Sequence, residues 1–165
     1  MRFHHMALYV TDLDRAIRLW RDVLGFSVAV EMALPDGEVP GPAVFADARL
    51  LDDTTGVAGT RARMALLSSA EGALIELQQF ETPRTERTPD AHLRHAASGL
   101  RELGLLVEDI DGWFARIRAA GYETQTDYVW SSATLGRSFI FYDDEGNMIQ
   151  LWENAGGSNW QPAAA

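Results

Sequence analysis

His4-His5-Met6-Ala7-Leu8-Tyr9-Val10-Thr11-Asp12-Leu13-Asp14 opens the chain, and Arg101-Glu102-Leu103-Gly104-Leu105-Leu106-Val107-Glu108-Asp109-Ile110-Asp111 repeats it in register. His5 meets Glu102, Val10 meets Val107, and Asp12-Leu13-Asp14 meets Asp109-Ile110-Asp111. After one gap, Leu24-Gly25-Phe26 lies over Ala120-Gly121-Tyr122. A duplicated unit makes a two-fold arrangement the natural expectation. In the first copy, Met6, Leu8 and Val10 alternate with His5, Ala7 and Tyr9, the period of a strand with two unlike faces. Asp12 reads as the cap of a helix whose apolar positions, Ala16, Leu19, Trp20, Val23 and Leu24, recur at helical spacing, with Gly25 as its stop.

Working outward, Phe26 to Leu34 reads as a second strand. From Pro35 to Thr60 the pattern weakens, with turn signals and one short helix expected over Phe45 to Asp53. This segment reads either as a lid or binding loop or as a plain surface excursion. Ala62 to Ser69 and Ala73 to Phe80 read as strands around the turn Glu71-Gly72. The first module, residues 1–80 with residues 35–60 inserted, is therefore βαβββ. Residues 81–98 are polar and read as a linker. The second module, residues 99–153, has strands expected at 100–107, near 122–128, at Arg137–Tyr142 and at Met148–Glu153, with a helix from Asp109 to Ala120. Residues 154–165 read as a loose tail in which Trp160 could dock on the body. The fold class is α+β.

Composition narrows the function classes. The chain of 165 residues has no cysteine, which excludes disulfides, thiolate catalysis and thiolate metal ligation. A net charge of −10 argues against nucleic acid, whose phosphates demand Lys and Arg. The acidity reads either as solubility or as attraction for a cationic ligand. No apolar run reaches membrane-spanning length and the N-terminus lacks a signal-peptide core, so a cytoplasmic protein is expected.

The strand faces turned away from the helices carry the chemistry. They present His5, Ala7 and Tyr9; Leu74, Glu76 and Gln78; Glu102, Gly104 and Leu106; and Met148, Gln150 and Trp152. Gly72-Ala-Leu-Ile-Glu76-Leu matches Gly146-Asn-Met-Ile-Gln150-Leu, so Glu76 and Gln150 are equivalent. Each of four strands thus brings one side chain able to ligate a divalent ion: His5, Glu76, Glu102 and Gln150. The plainer reading is that these polar groups simply face water. Against it stand the apolar neighbours Tyr9, Leu74, Leu106, Met148 and Trp152 and the recurrence at equivalent places. Two carboxylates in one cavity would repel unless a cation lay between them. Tyr9, Gln78, Phe141 and Trp152 are candidate walls of a substrate pocket.

The motifs His5-x6-Asp12-Leu-Asp14-Arg15-Ala16, Trp20-Arg-Asp22-Val-Leu24-Gly25-Phe26, Leu74-Ile-Glu76-Leu77, Val107-Glu-Asp109-Ile-Asp111 and Asp143-Asp-Glu-Gly146-Asn147-Met-Ile-Gln150-Leu151 resemble the vicinal oxygen chelate superfamily. That group includes glyoxalase I, methylmalonyl-CoA epimerase, extradiol dioxygenases and the fosfomycin and bleomycin resistance proteins. The resemblance implies paired βαβββ modules curling as mixed sheets around a metal-site cavity, commonly in a homodimer, with a small-molecule substrate. The family's metal positions fall on His5, Glu76, Glu102 and Gln150, although Glu102 stands where His is usual and Gln150 where Glu is usual. One His, two Glu and one Gln resembles the ligand set of some glyoxalase I enzymes and suits Zn, Ni, Co, Mn or Fe. The implied activity is of lyase/isomerase or epimerase type: adjacent substrate oxygens chelated, and a proton moved through an enediolate by Glu76 or Glu102 as catalytic base. Nothing in the sequence selects a glutathione thiol. An extradiol ring-cleaving dioxygenase is the first alternative, set back by the two-His, one-Glu iron ligation of those enzymes. A non-catalytic, bleomycin-resistance-like dimer holding a cationic drug is the second, set back by the four candidate ligands.

Overall fold

A computed structural model of the chain describes residues 3–156. The chain forms two compact units, residues 1–87 and 88–165. Each is built on one four-stranded mixed sheet with few helices. The first unit runs β1 (Met6–Tyr9), α1 (Leu13–Arg18) continued by a wider π turn (Leu19–Val23), β2 (Ser27–Leu34), α2 (Ala48–Thr55), β3 (Arg61–Ser68) and β4 (Leu74–Thr82). The second runs β5 (Glu102–Leu106), α3 (Ile110–Ala119), β6 (Trp130–Ser132), β7 (Gly136–Tyr142) and β8 (Met148–Asn154). Sheet order is β1-β4-β3-β2 in one and β5-β8-β7-β6 in the other. In both, the first strand lies parallel to the last and the remaining pairs are antiparallel.

The repeat extends to individual polar contacts. Asp12 Oδ1 accepts from the Arg15 amide at 2.9 Å, and Asp109 Oδ1 from the Gly112 amide at 3.2 Å, so each helix begins on an aspartate cap. The last strand of each sheet satisfies one more helix amide: Leu13 N–H donates to Gln79 Oε1 at 2.9 Å, and Ile110 N–H to Glu153 Oε1 at 3.0 Å. An arginine then clasps helix to sheet. Arg63 on β3 bonds Asp14 at 2.8 Å and Glu31 at 2.9 Å, and Arg137 on β7 bonds both oxygens of Asp111 at 2.7 Å. The hairpin turns match as well, Ser69 Oγ accepting from the Ala73 amide where Asp143 Oδ1 accepts from the Asn147 amide.

The Arg63 and Arg137 guanidiniums hold the Asp14 and Asp111 carboxyls below their ordinary pKa. A carboxyl depressed in the folded state contributes stability above its unfolded pKa, about 3.9, and that contribution is lost as pH falls through the folded value. Arg137→Ala should therefore melt below wild type at neutral pH, with the gap closing in strong acid. Thermal melts at stepped pH check this; a gap constant down to the acid limit would remove the Asp111 ion pair as its source.

Apolar burial follows the strand faces. Ile75, Leu77, Ala65 and Leu67 are buried on the α1 side, together with Leu13, Ile17 and Trp20. In the second unit Phe139, Phe141, Ile149 and Leu151 are buried on the α3 side, where Phe114 meets Phe139 edge-on at 5.1 Å. The opposite face of the first sheet is covered at one end. Ala46 and Leu51 pack on Leu34, Ala62, Met64 and Phe80, with Val30, Met32 and Leu66 alongside. The inserted segment therefore covers part of the face that carries Glu76.

Three expected elements differ. The short helix begins at Ala48 rather than Phe45, because both Asp36 carboxylate oxygens take the Phe45 and Ala46 amides at 2.8 Å and hold those residues in a loop; Asp47 then caps the helix. No strand forms over 122–128. Only Thr124 bridges to Phe141, and pairing resumes at Trp130. Thr124 and Thr126 hydroxyls donate to the Thr126 and Tyr128 carbonyls, both at 2.7 Å, a local pairing that competes with a ladder. Asn154, expected in the tail, closes β8 opposite Gly136. Trp160 and residues 157–165 lie outside the described residues.

Candidate metal centre

The register sets the candidate ligands in two equivalent diagonal pairs. Ala7 lies opposite Glu76, and His5 stands just before β1, two residues ahead of Ala7. Gly104 lies opposite Gln150, and Glu102 precedes Gly104 by two. Leu66 and Ile140 occupy the next strand beside Glu76 and Gln150, respectively.

In the first unit this pairing brings donors together. His5 Nε2 is 3.2 Å from Glu76 Oε2, with side-chain exposures of 39% and 16%. The other carboxylate oxygen, Glu76 Oε1, accepts from Gln78 Nε2 at 2.7 Å. Both oxygens of Glu76 are thus directed by neighbours. Two donors bonded to one ion at about 2.0–2.2 Å and subtending a roughly right or tetrahedral angle stand about 2.9–3.5 Å apart. A nitrogen and an oxygen at 3.2 Å fit as neighbouring ligands of a single divalent cation.

In the second unit Glu102 is exposed at the start of β5, opposite Met148. Gln150 is half-buried. Its Oε1 lies over Gly104, 3.9 Å from where a Cβ on that glycine would stand. This pair offers one carboxylate and one amide oxygen. Among the described residues, no group of three or more His, Asp or Glu side chains is gathered closely enough to hold a metal ion.

The four expected pocket walls divide. Gln78 and Tyr9 are on the Glu76 face; the Gln78 amide binds Glu76, and Tyr9, 60% exposed, packs edge-on to Phe80 at 5.2 Å. Trp152 is on the Gln150 face, its indole N–H donating to Asn154 Oδ1 at 2.8 Å. Phe141 is not a wall. It lies opposite Ile149 on the helix side of the sheet, fully buried and 6.0 Å from the Tyr122 ring. Ile140 takes the position facing Gln150.

Residues 2–151 match the profile of the Glyoxalase/Bleomycin resistance protein/Dioxygenase superfamily. The chain belongs to that superfamily. Its sequence is 27% identical over 150 residues to the uncharacterized protein YaeR of Escherichia coli K12, covering 91% of this chain and 94% of that one. Among solved structures, a glyoxalase family protein from Bacillus cereus superposes with a TM-score of 0.77 at 23% identity, covering 94% of this chain and 95% of that one. The fosfomycin resistance protein FosX of Listeria monocytogenes, solved with Mn(II) and sulfate, superposes with a TM-score of 0.57 at 16% identity, covering 97% and 98%. The superfamily's glyoxalase-like α+β architecture is the fold described above. No helix among the described residues is long and apolar enough to cross a membrane.

The sequence did not single out His4, whose Nδ1 lies 2.7 Å from His5 Nδ1, nor the arginine clasps. A cavity of about 550 Å³ at the far end of β4, lined in part by Thr11, Phe80, Arg84 and Arg87, was likewise not anticipated. The His4-His5 doublet was a visible signal. Arg84 and Arg87 sit in the stretch read as a plain linker.

Proposed function

We propose that the chain is a divalent-metal-dependent superfamily enzyme of lyase/isomerase or epimerase type, acting on a small molecule with adjacent oxygens. His5, Glu76, Glu102 and Gln150 are its metal ligands. The observation that carries this reading is the His5–Glu76 approach at 3.2 Å, in the same register as Glu102 and Gln150. Mn(II) in FosX supports a divalent ion at such a scaffold. When bound, the ion would supply Lewis-acid polarisation of the substrate oxygens.

The remaining chemistry belongs to the chain's own groups. Glu76, half-buried and directed at both oxygens by His5 and Gln78, is suited to hold its place. Of the two ligand carboxylates Glu102 is the exposed one, at the start of β5, and we assign it the base's role beside its ligand role, taking and returning a substrate proton. Gln150 has no titratable proton and orients without acting as a base. The arrangement supplies one imidazole, which sets it apart from two-His iron ligation.

The test is the metal content of freshly purified protein by mass spectrometry, beside the Glu76→Ala/Glu102→Ala double variant. We expect about one divalent ion per chain in the wild type, lost in the variant. No metal in the wild type after reconstitution, or equal metal in both, overturns the reading.

A further inference from the structure

We propose that His4 is a positioning residue that fixes the ring of His5 for metal binding. The inference rests on His5 being a ligand through Nε2, the atom that faces Glu76. An imidazole that gives the Nε2 lone pair to a cation and stays neutral carries its one proton on Nδ1. That N–H needs an acceptor, and second-sphere acceptors of this kind set both tautomer and ring orientation. The atom within reach is His4 Nδ1, at 2.7 Å. The two rings stand nearly perpendicular, at 81° with centroids 5.0 Å apart, so the His4 ring points its nitrogen edge at His5 rather than stacking on it. Gln78 plays the matching part on the other ligand, donating to Glu76 Oε1. Each donor of the first unit is then oriented by one neighbour: His5 by His4, and Glu76 by Gln78.

Among the described residues, the second unit has no such arrangement. Arg101 stands where His4 does, and its guanidinium donates to the His92 carbonyl instead. Orientation of this kind is therefore concentrated on the first unit's pair.

Four metal-stripped full-length proteins test this by Zn(II) calorimetry: wild type, His4→Phe, His4→Asn and His5→Ala. Phenylalanine keeps a ring and removes the acceptor. The asparagine Oδ1 stands as many bonds from the backbone as histidine Nδ1 and accepts in its place. We expect His5→Ala to abolish binding, His4→Phe to weaken it about 10- to 100-fold, and His4→Asn to stay within about 3-fold of wild type. A second readout is the exchangeable Nδ1–H resonance of His5 in Co(II)-loaded protein. It should persist in wild type and His4→Asn and be lost to solvent exchange in His4→Phe. If His5→Ala loses Zn(II) while His4→Phe binds like wild type, the role of His4 is overturned and the ligand assignment stands. If His5→Ala binds like wild type, or wild type takes up no Zn(II), the ligand assignment falls and the role of His4 falls with it.

Discussion

Glu76→Gln should weaken divalent-cation affinity at least about 100-fold, or about 2.7 kcal/mol, while moving the melting temperature by no more than about 4 °C. Glutamine keeps the volume of the side chain and an Oε1 that accepts from Gln78 Nε2. What it removes is the negative charge 3.2 Å from His5 Nε2. A partly exposed carboxylate–imidazole pair contributes little to folding, of the order of 0–1 kcal/mol. The same charge next to a divalent ion, in a site only partly open to water, is worth far more. The exchange thus separates the two roles of the residue: stability hardly responds, and affinity collapses. Calorimetry with Zn(II) and a thermal melt on the metal-stripped protein read both. An affinity within 3-fold of wild type would remove Glu76 from the ligand set, and a large loss of melting temperature would make it a structural residue first.

Much of the placement of these candidate residues was legible because the repeat and the strand period agree. His5, Glu76, Glu102 and Gln150 each follow from two-residue alternation, and the structure sets them in equivalent registers. The caps Asp12 and Asp109 and the stops Gly25 and Gly121, both at positive φ, were visible for the same reason. Phe141 was not, because Phe139, Ile140 and Phe141 are all buried. A strand apolar on both faces carries no alternation, so its parity comes only from the pairing with β8. The Arg63 and Arg137 clasps escaped for another reason. They match only when the hairpins are aligned, and residues 35–60 shift that alignment away from the one set by the first strands. The helix start at Ala48 and the interruption at Thr124–Tyr128 are decided by side-chain oxygens taking or feeding backbone groups, a competition that hydrophobic pattern does not record.

Two glycines on the second sheet make the last prediction, with opposite signs. Gly136 opens β7 opposite Asn154, and a Cβ there would stand 2.2 Å from the Glu153 carbonyl oxygen and 2.9 Å from two atoms of the Trp152 indole. The first obstacle is backbone in a paired strand, which cannot swing aside as a side-chain end can. Overpacking of this kind costs about 1–3 kcal/mol, and Gly136→Ala belongs at the upper end, a fall of about 6–12 °C in melting temperature for a chain of this size. Gly104 lies on β5 opposite Gln150, yet a Cβ there would meet only Gln150 Oε1, at an ordinary 3.9 Å. The equivalent position in the first unit is already an alanine, Ala7, opposite Glu76. Gly104→Ala should therefore fold as well as wild type or better, by up to about 1 kcal/mol, since alanine restricts the unfolded chain. Indole N–H spectra add a local reading: the Trp152 resonance, bonded to Asn154 Oδ1, should move in Gly136→Ala and stay in Gly104→Ala. An unshifted melt in Gly136→Ala would refute the seating of Trp152 against β7. A destabilised Gly104→Ala would refute the equivalence of Gly104 with Ala7, and with it the register that sets Glu102 and Gln150 in the same relation as His5 and Glu76.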